Sequence, residues 1–384
     1  MSKSNFTSVE LLYKNKLIEN IYEACTCCYD NTKDIDYMEK KEYIRKRVEA
    51  GHESVLEHGR LAILIKNIIK PSRISSVVGY DFSKWLEFYT AELEDGTYNM
   101  VINGSIRAYK HFINNITPYI YETDAIARQI VRILELHTPR ELWGKAEDFV
   151  IEDFMNNHSF IDVEPDVQDI SFARAGMRYD CIEDRILDTP KIISKDNKAT
   201  KSVTVAYDVL HMRETETVPD MRTLLHIEGF SDYVYENIIP VMVEFKNMSR
   251  TATHQLVRHR NGITQESQRY VSAENATFTI PMKDYEEKKM YNISIFGSSH
   301  MGSLTDLASE LLAIYKQLIQ QGLKKEEARA FLPSNVNCGR LYMTFTIASL
   351  KKFLQLRTDH HAQYEIRQYA LAIESITKDK IINY

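Results

Sequence analysis

The sequence predicts an α+β fold made of two related halves in tandem, and three observations lead to it. Short strand-like runs alternate with helical patterns along the chain. With 384 residues there is room for one large domain or two of ordinary size. Two pieces of the first part of the chain are also echoed, in the same order, near its end.

Leu61-Ala-Ile-Leu-Ile65 and Val241-Met-Val-Glu-Phe245 read as buried strands. Leu17 to Tyr29 reads as a helix. So does Ser303 to Leu323, where Leu304, Leu307, Leu311, Leu312, Tyr315 and Leu318 fall at helical spacing and Gly322 stands as a stop. From Ile347 to about Ile376 a helical pattern continues with no proline or glycine inside it, so one long helix is expected. The echoes are Ile63 to Arg73 against Met242 to Arg250, and Val101 to Phe112 against Phe345 to Phe353. The division expected is a first half over 1–140, a connecting region over 141–225, and a second half over 226–384. The connecting region is rich in Asp, Glu, Asn and Lys and is punctuated by Pro165 and Pro190; it reads as a linker with short elements or as the opening of a second domain.

Hydrophobic residues make up 44% and charged residues 27%, a globular balance. The start lacks a basic segment followed by an apolar run, and no apolar run reaches the ~20 residues of a membrane span. Five cysteines, an odd number, fit a reducing compartment, so a cytoplasmic protein without membrane partners is expected. A net charge of −6 argues against nucleic acid as the main partner. An anionic ligand would need a local basic cluster.

Such a cluster stands at Gln255-Leu-Val-Arg258-His259-Arg260, followed by Gln265-Glu266-Ser267-Gln268-Arg269-Tyr270. Arginine forks match phosphate oxygens in pairs, and amides and hydroxyls suit a pyrimidine edge or a ribose. Asn261-Gly262 marks a turn that folds the cluster back on itself. From composition alone a solvated basic loop is the favoured reading. Arg357 lies beside an apolar stripe (Ile347, Leu350, Leu354), where a charge needs a partner. That partner is either a carboxylate from another helix or a bound anion or nucleotide ring, and spacing does not choose between them. Gly51-His52-Glu53-Ser54-Val55-Leu56-Glu57-His58 does not have a usual zinc spacing, so it reads as a polar connection into a strand and no metal is expected. Cys25-Thr-Cys27-Cys28 reads as a feature of a core helix. Ser267 has no acid–base partner at fixed spacing and reads as a hydrogen-bond donor rather than a nucleophile.

Together these segments resemble the flavin-dependent thymidylate synthases. The family's signature is Arg-His-Arg, seven residues, a serine, then Arg-Tyr; here six residues separate Arg258-His259-Arg260 from Ser267-Gln-Arg269-Tyr270. Ser249-Arg-x3-His-Gln-Leu-Val257, the element from His52 to His58, Ala328-Arg329-Ala-Phe-Leu-Pro333, and Phe353 to Ala370 around Arg357 and His361 also match. The resemblance covers about the first 65 residues and about 240 to 376.

It implies a mixed sheet flanked by long helices. It implies FAD held by His52, Ser54, Arg258, His259, Arg260 and Gln265. A dUMP-like nucleotide would be held by Gln255, Arg258, Gln265, Glu266, Ser267, Gln268, Arg269 and Arg329. Arg357 would be the catalytic group, contacting the uracil and favouring ionisation at N3. NADPH would reduce the flavin, methylenetetrahydrofolate would supply the carbon, and the product would be dTMP. A homo-oligomer is implied, either a dimer of duplicated chains or a tetramer. The sequence departs from the family at Thr346 and Lys352, where members commonly have asparagine, so addition of another one-carbon group is an alternative product. A further alternative is a catalytically silent flavin- or nucleotide-binding protein. The family's chains are also about half as long, and about 200 residues separate His52 from Arg258 here. That distance fits a duplication in which the first copy keeps the His-Glu-Ser element and the second keeps Arg-His-Arg.

Overall fold

The computed structural model describes residues 7–29, 34–69, 77–116, 124–143, 177–186, 192–193, 201–210, 221–280, 289–295, 297–378 and 381. The first unit runs β1 (Ser8–Lys14), α1 (Leu17–Tyr29), α2 (Tyr37–Glu49), a 3-10 turn (Glu53–His58), β2 (Arg60–Ile68), β3 (Glu87–Glu92), β4 (Tyr98–Ser105), α3 (Ile106–Asn115) and α4 (Ala125–His137). Its sheet has the order β1-β2-β4-β3.

The second unit begins with β5 (Met177–Ile186), β6 (Ile192–Ile193), β7 (Ser202–Leu210), α5 (Met221–Ile227), α6 (Asp232–Ile238) and β8 (Pro240–Lys246). It continues with α7 (Arg250–Leu256), β9 (Gly262–Gln265), β10 (Phe278–Thr279), β11 (Tyr291–Ile295), β12 (Ser298–Gly302), α8 (Leu304–Gln320) and α9 (Lys325–Ala328). It ends with β13 (Arg340–Thr346), α10 (Ile347–Arg357) and α11 (Tyr364–Thr377). Its main sheet has the order β5-β7-β8-β13-β9. The stretch expected to connect two halves therefore contributes β5 and β7 to the second sheet, so this unit starts well before residue 226. Much of 141–225, including Pro165 and Pro190, lies outside the described residues, as does Ser72-Arg73.

The expected strands at 61–65 and 241–245 and the expected helices at 17–29 and 303–323 are present. Ser303 caps α8 and Gly322 has φ +96° just beyond it. Two expectations are corrected. The sheet is not mixed: every strand pair described is antiparallel. A pair of helices between strands crosses the sheet twice and delivers the chain to the opposite end of the neighbouring position, whereas a single helix would give a parallel neighbour. Nor is 347–376 one helix. Asp359 accepts from the backbone N and the ring Nδ1 of His361, and Gln363 accepts from Ile366 N, so side chains take the amides that would continue α10 and restart the chain as α11.

The two units share one plan in detail. Ser8 pairs with Lys66 as Ser202 pairs with Lys246, and Arg60 pairs with Ser105 as Pro240 pairs with Thr346. Asn67 and Asn247, each following a lysine, have φ +56° and +58°, a conformation asparagine tolerates better than most residues. Ser105 and Thr346 cap the helices that follow them, and Asp124 and Gln363 cap the last helix of each unit. In α4 the buried positions 126, 127, 130, 131, 134 and 137 correspond to 365, 366, 369, 370, 373 and 376 of α11.

Each unit also covers the other. Leu12, Leu64 and Val101 of the first sheet belong to the core formed with Leu225, Phe230 and Val234 of the second unit. Conversely, Cys27 of α1 packs on Met242 and Tyr342, and its thiol donates to Arg340 O at 3.0 Å. Cys25 and Cys27 are buried and free, as a core helix requires. No helix among the described residues is long and apolar enough to cross a membrane.

Candidate functional site

The arginine segment is shaped by local geometry. Ser249 caps α7 by accepting from Ala252 N at 3.2 Å, and α7 presents Gln255. A 3-10 turn carries Val257, Arg258 and His259. Arg260 then takes a left-handed conformation (φ +52°), and the Asn261 side chain donates to His259 O at 3.2 Å. The reversal predicted at Asn261-Gly262 is thus made one residue earlier, and the chain enters β9 antiparallel to β13.

Arg357, the last residue of α10, reaches this turn. Its Nε donates to His259 Nε2 at 3.1 Å, and its terminal nitrogens donate to the side-chain and main-chain oxygens of Gln255 at 3.3 and 3.5 Å. Of the two partners left open by the sequence, the carboxylate is not found among the described residues: all three acceptors seen are neutral. Among the described residues neither Arg258, Arg260 nor Arg357 enters an ion pair. To accept at Nε2, His259 must carry its proton on Nδ1 and stay uncharged. Burial, then Arg357, then Lys352 hold it down to about 4. Burial and Arg258 in turn lower Arg357. The result is a group of guanidinium and ammonium charges around a neutral imidazole, which stands edge-to-face with the Phe353 ring at 5.0 Å between centroids. Such a group accommodates an anion.

The second group lies on the loop after β9. The Gln265 side chain donates to Cys338 Sγ, and Glu266 N donates to Arg340 O at 3.0 Å. The Glu266 carboxylate lies over Gly339, where any side chain would displace it. Arg250 hydrogen-bonds the buried Gln268, while Arg269 lies 3.6 Å from Glu326 and over the Tyr270 ring. Arg329 donates to Glu326 O at 3.3 Å, and its turn is held beside the loop by Arg269–Glu326 and by Lys325 donating to Tyr270 O at 3.3 Å. Ser267 N donates to Cys28 O and its hydroxyl accepts from Arg269 N at 3.4 Å, and among the described residues no histidine or carboxylate is bonded to it. Ser267→Ala is therefore expected to keep measurable turnover, since a neutral hydrogen bond contributes only ~0.5–1.5 kcal/mol. Steady-state kinetics check this, and complete inactivity with normal nucleotide binding would restore Ser267 as a nucleophile.

The 3-10 turn of the first unit lies on these strands of the second. His58 is fully buried, with Nδ1 at 2.8 Å from Thr344 Oγ1 and Nε2 at 2.9 Å from Thr264 Oγ1. Its close approach requires Gly262, where an added Cβ would meet Glu57 Cβ and Glu57 O at 3.0 Å. His58 was readable in the sequence only as part of a polar connection, because both of its partners lie more than 200 positions away. His52 is half-buried and Ser54 exposed at the start of this turn. The turn that follows them lies on β9 through Glu57 and His58, and among the described residues no hydrogen bond links Ser54 to the arginine segment.

Burial alone drives His58 down to about 3, and His259 is held at about 4. Both fall below the ordinary histidine value, so the unfolded chain binds these protons first. Their contribution to stability is complete above about pH 6.5 and declines as pH falls towards 4, with a slope of about 1.4 kcal/mol per pH unit for each group. Denaturant midpoints at pH 7.5 and 5 measure it, and equal midpoints would contradict it. Asp359, His360 and His361 also bring possible metal-ligand atoms within 4.8 Å of one another, but all three are exposed and they form the helix break described above.

Comparison with known proteins bears on this arrangement. The model of the family described as thymidylate synthase complementing protein matches residues 191–381. A flavin-dependent thymidylate synthase from Pyrococcus horikoshii is 31% identical over 201 residues, covering 50% of this chain and 79% of that protein. The chain belongs to the flavin-dependent thymidylate synthase family. Relatives with that name from Pyrococcus furiosus and Pyrococcus abyssi are 33% and 32% identical; the matches cover 38% and 40% of this chain. The chain spans 58% and 62% of the length of those two relatives. Among solved structures, thymidylate synthase X from Helicobacter pylori with FAD and dUMP is similar at 18% identity and a TM-score of 0.30, over 44% of this chain and 82% of that one. The region matched to the family model starts at residue 191, so it takes in β7 and excludes the first unit, including His52 to His58.

Proposed function

We propose that this chain is a thymidylate synthase that reductively methylates dUMP to dTMP, with FAD as cofactor and NADPH and methylenetetrahydrofolate as co-substrates. The observation that carries the reading is the positive charge of Arg258, Lys352 and Arg357 about a neutral His259, with no carboxylate paired to them among the described residues. Clustered cations without carboxylates favour an anionic ligand, and arginine forks favour phosphate. Family membership supports a flavin and a pyrimidine nucleotide as those ligands.

In this account Arg258, His259, Arg260 and Gln265 hold FAD with His52 and Ser54 from the first unit. Gln255, Arg258, the loop from Gln265 to Arg269 and Arg329 hold the nucleotide. Arg357 is the catalytic group. Aligned by Gln255 and His259, its guanidinium donates to the uracil and favours the N3-ionised form, which raises electron density at C5. The flavin, when bound, supplies the reducing equivalents. Ser267 orients the nucleotide without covalent attack.

The common plan of the two units supports a tandem duplication with complementary losses. The first copy keeps the His-Glu-Ser turn and the second keeps the arginine segment, so one composite flavin site per chain and a dimer of chains follow. NADPH-dependent tritium release from C5-labelled dUMP tests the activity; no release with bound flavin present would leave a silent binding protein. Lys352, beside His259 and in place of the family's asparagine, favours a second reading in which another one-carbon group is transferred. The mass of the product separates the two.

A further inference from the structure

We propose that the buried Lys201–Glu365 ion pair is a positioning device for the arginine segment rather than a requirement of the fold. This rests on reading that segment as the flavin and nucleotide site. The pair is almost wholly shut off from solvent, at 1% and 0% side-chain exposure, with Nζ 2.6 Å from Glu365 Oε1. Burying two charges is costly, and well-packed apolar replacements are often as stable or more so. The same carboxylate receives Ser249 N at 2.7 Å on Oε1 and the Ser249 hydroxyl on Oε2. Lys201 donates a second of its three protons to Asn247 O at 2.7 Å, and its ammonium lies 5.5 Å from the centre of the Tyr369 ring. Ser249 is the cap of α7, the short helix that delivers Gln255 and then Arg258, His259 and Arg260. The pair thus fixes the root of the segment from β7 on one side and α11 on the other.

The first unit serves as an internal control. The residue before β1, Thr7, donates its hydroxyl to Asn67 O at 3.1 Å, as Lys201 does to Asn247 O, so this bond belongs to the common plan. At the position of Glu365 in α11, however, α4 has the buried Ile126. The unit without an arginine segment folds with threonine and isoleucine; the unit with one retains the charged pair. What the pair adds is therefore tied to the segment and not to the packing of strand on helix.

The test is the double variant Lys201→Thr/Glu365→Ile, which gives the second unit the residues of the first. Far-UV circular dichroism is expected to match that of the wild type and the variant to unfold cooperatively, with at most a modest drop in thermal midpoint, because the Ser249 N–H and hydroxyl lose their acceptor while two buried charges are removed. Hydrogen exchange on the ligand-free protein should show faster exchange of the amides at 249–260, a readout that needs no ligand. With FAD and dUMP as probes, both affinities and kcat/KM should fall by roughly 10- to 100-fold, the range expected when supporting groups shift a reacting centre. Lys201→Met/Glu365→Gln keeps an amide that can bond Ser249 and should recover most of the binding. An unfolded Thr/Ile variant would overturn the proposal, because the pair would then be a fold requirement. So would wild-type exchange and affinity in that variant, or Gln/Met behaving no better than Thr/Ile. A wild-type protein that binds neither probe would instead refute the proposed function, while the exchange result would still judge the positioning role.

Discussion

Arg357→Ala is expected to nearly abolish turnover and to weaken nucleotide binding by roughly 10- to 150-fold while the protein stays folded. The size follows from losing a charged hydrogen bond, ~1.5–3 kcal/mol. The survival of the fold follows from what Arg357 touches. Its acceptors are the neutral Gln255 and His259, and Arg258 beside it is a like charge, so no buried carboxylate is left unpaired. Removing Arg357 also removes one of the charges that keep His259 unprotonated, so the His259 value should move up towards the ordinary histidine range. Calorimetric titration with dUMP and a thermal midpoint read the two halves of this expectation. A variant that unfolds, or that binds dUMP as the wild type does, contradicts it.

His58→Leu is expected to lose both stability and flavin. The imidazole joins the first unit to two strands of the second, and leucine would leave the Thr264 and Thr344 hydroxyls without that partner inside the protein. Unsatisfied buried groups cost ~1–3 kcal/mol each. The turn that carries His52 and Ser54 would lose its seat on β9, so flavin affinity should drop along with the denaturant midpoint. His58→Asn, which can still bond one threonine, should fall between. Unchanged flavin affinity in a folded His58→Leu protein would mean that this turn takes no part in the site.

Much of the fold was legible because its signals are local. The runs at 61–65 and 241–245 are continuous and apolar, and Leu17–Tyr29 and Ser303–Leu323 repeat at helical spacing with a recognisable stop at Gly322. The break between α10 and α11 was not legible, because it depends on Asp359 and Gln363 turning back to nearby amides rather than on a proline or glycine. Strands β5 and β7 were hidden for a different reason. Their surroundings are rich in charged residues, and what defines them is the neighbour they pair with.

The site divides in the same way. The arginine segment and Arg357 stand out as residue types in an unusual pattern. His58, Lys201 and Glu365 do not, because each is defined by partners far away in sequence. The echo between the two parts of the chain was faint in residue identity. The correspondences between the two units lie in register, caps and the two asparagines of positive φ, where backbone geometry constrains a position more tightly than side-chain chemistry does.

In the proposed function the two units together build one flavin site per chain, from the turn of the first and the arginine segment of the second. The measurement that tests it most directly is the FAD content of the purified protein, from absorbance after denaturation against chain concentration, with mass in solution giving the assembly. A yellow protein with one non-covalent FAD per chain in a dimer is expected, with a lower flavin affinity in His52→Ala. Two flavins per chain, or none after incubation with added FAD, would contradict it.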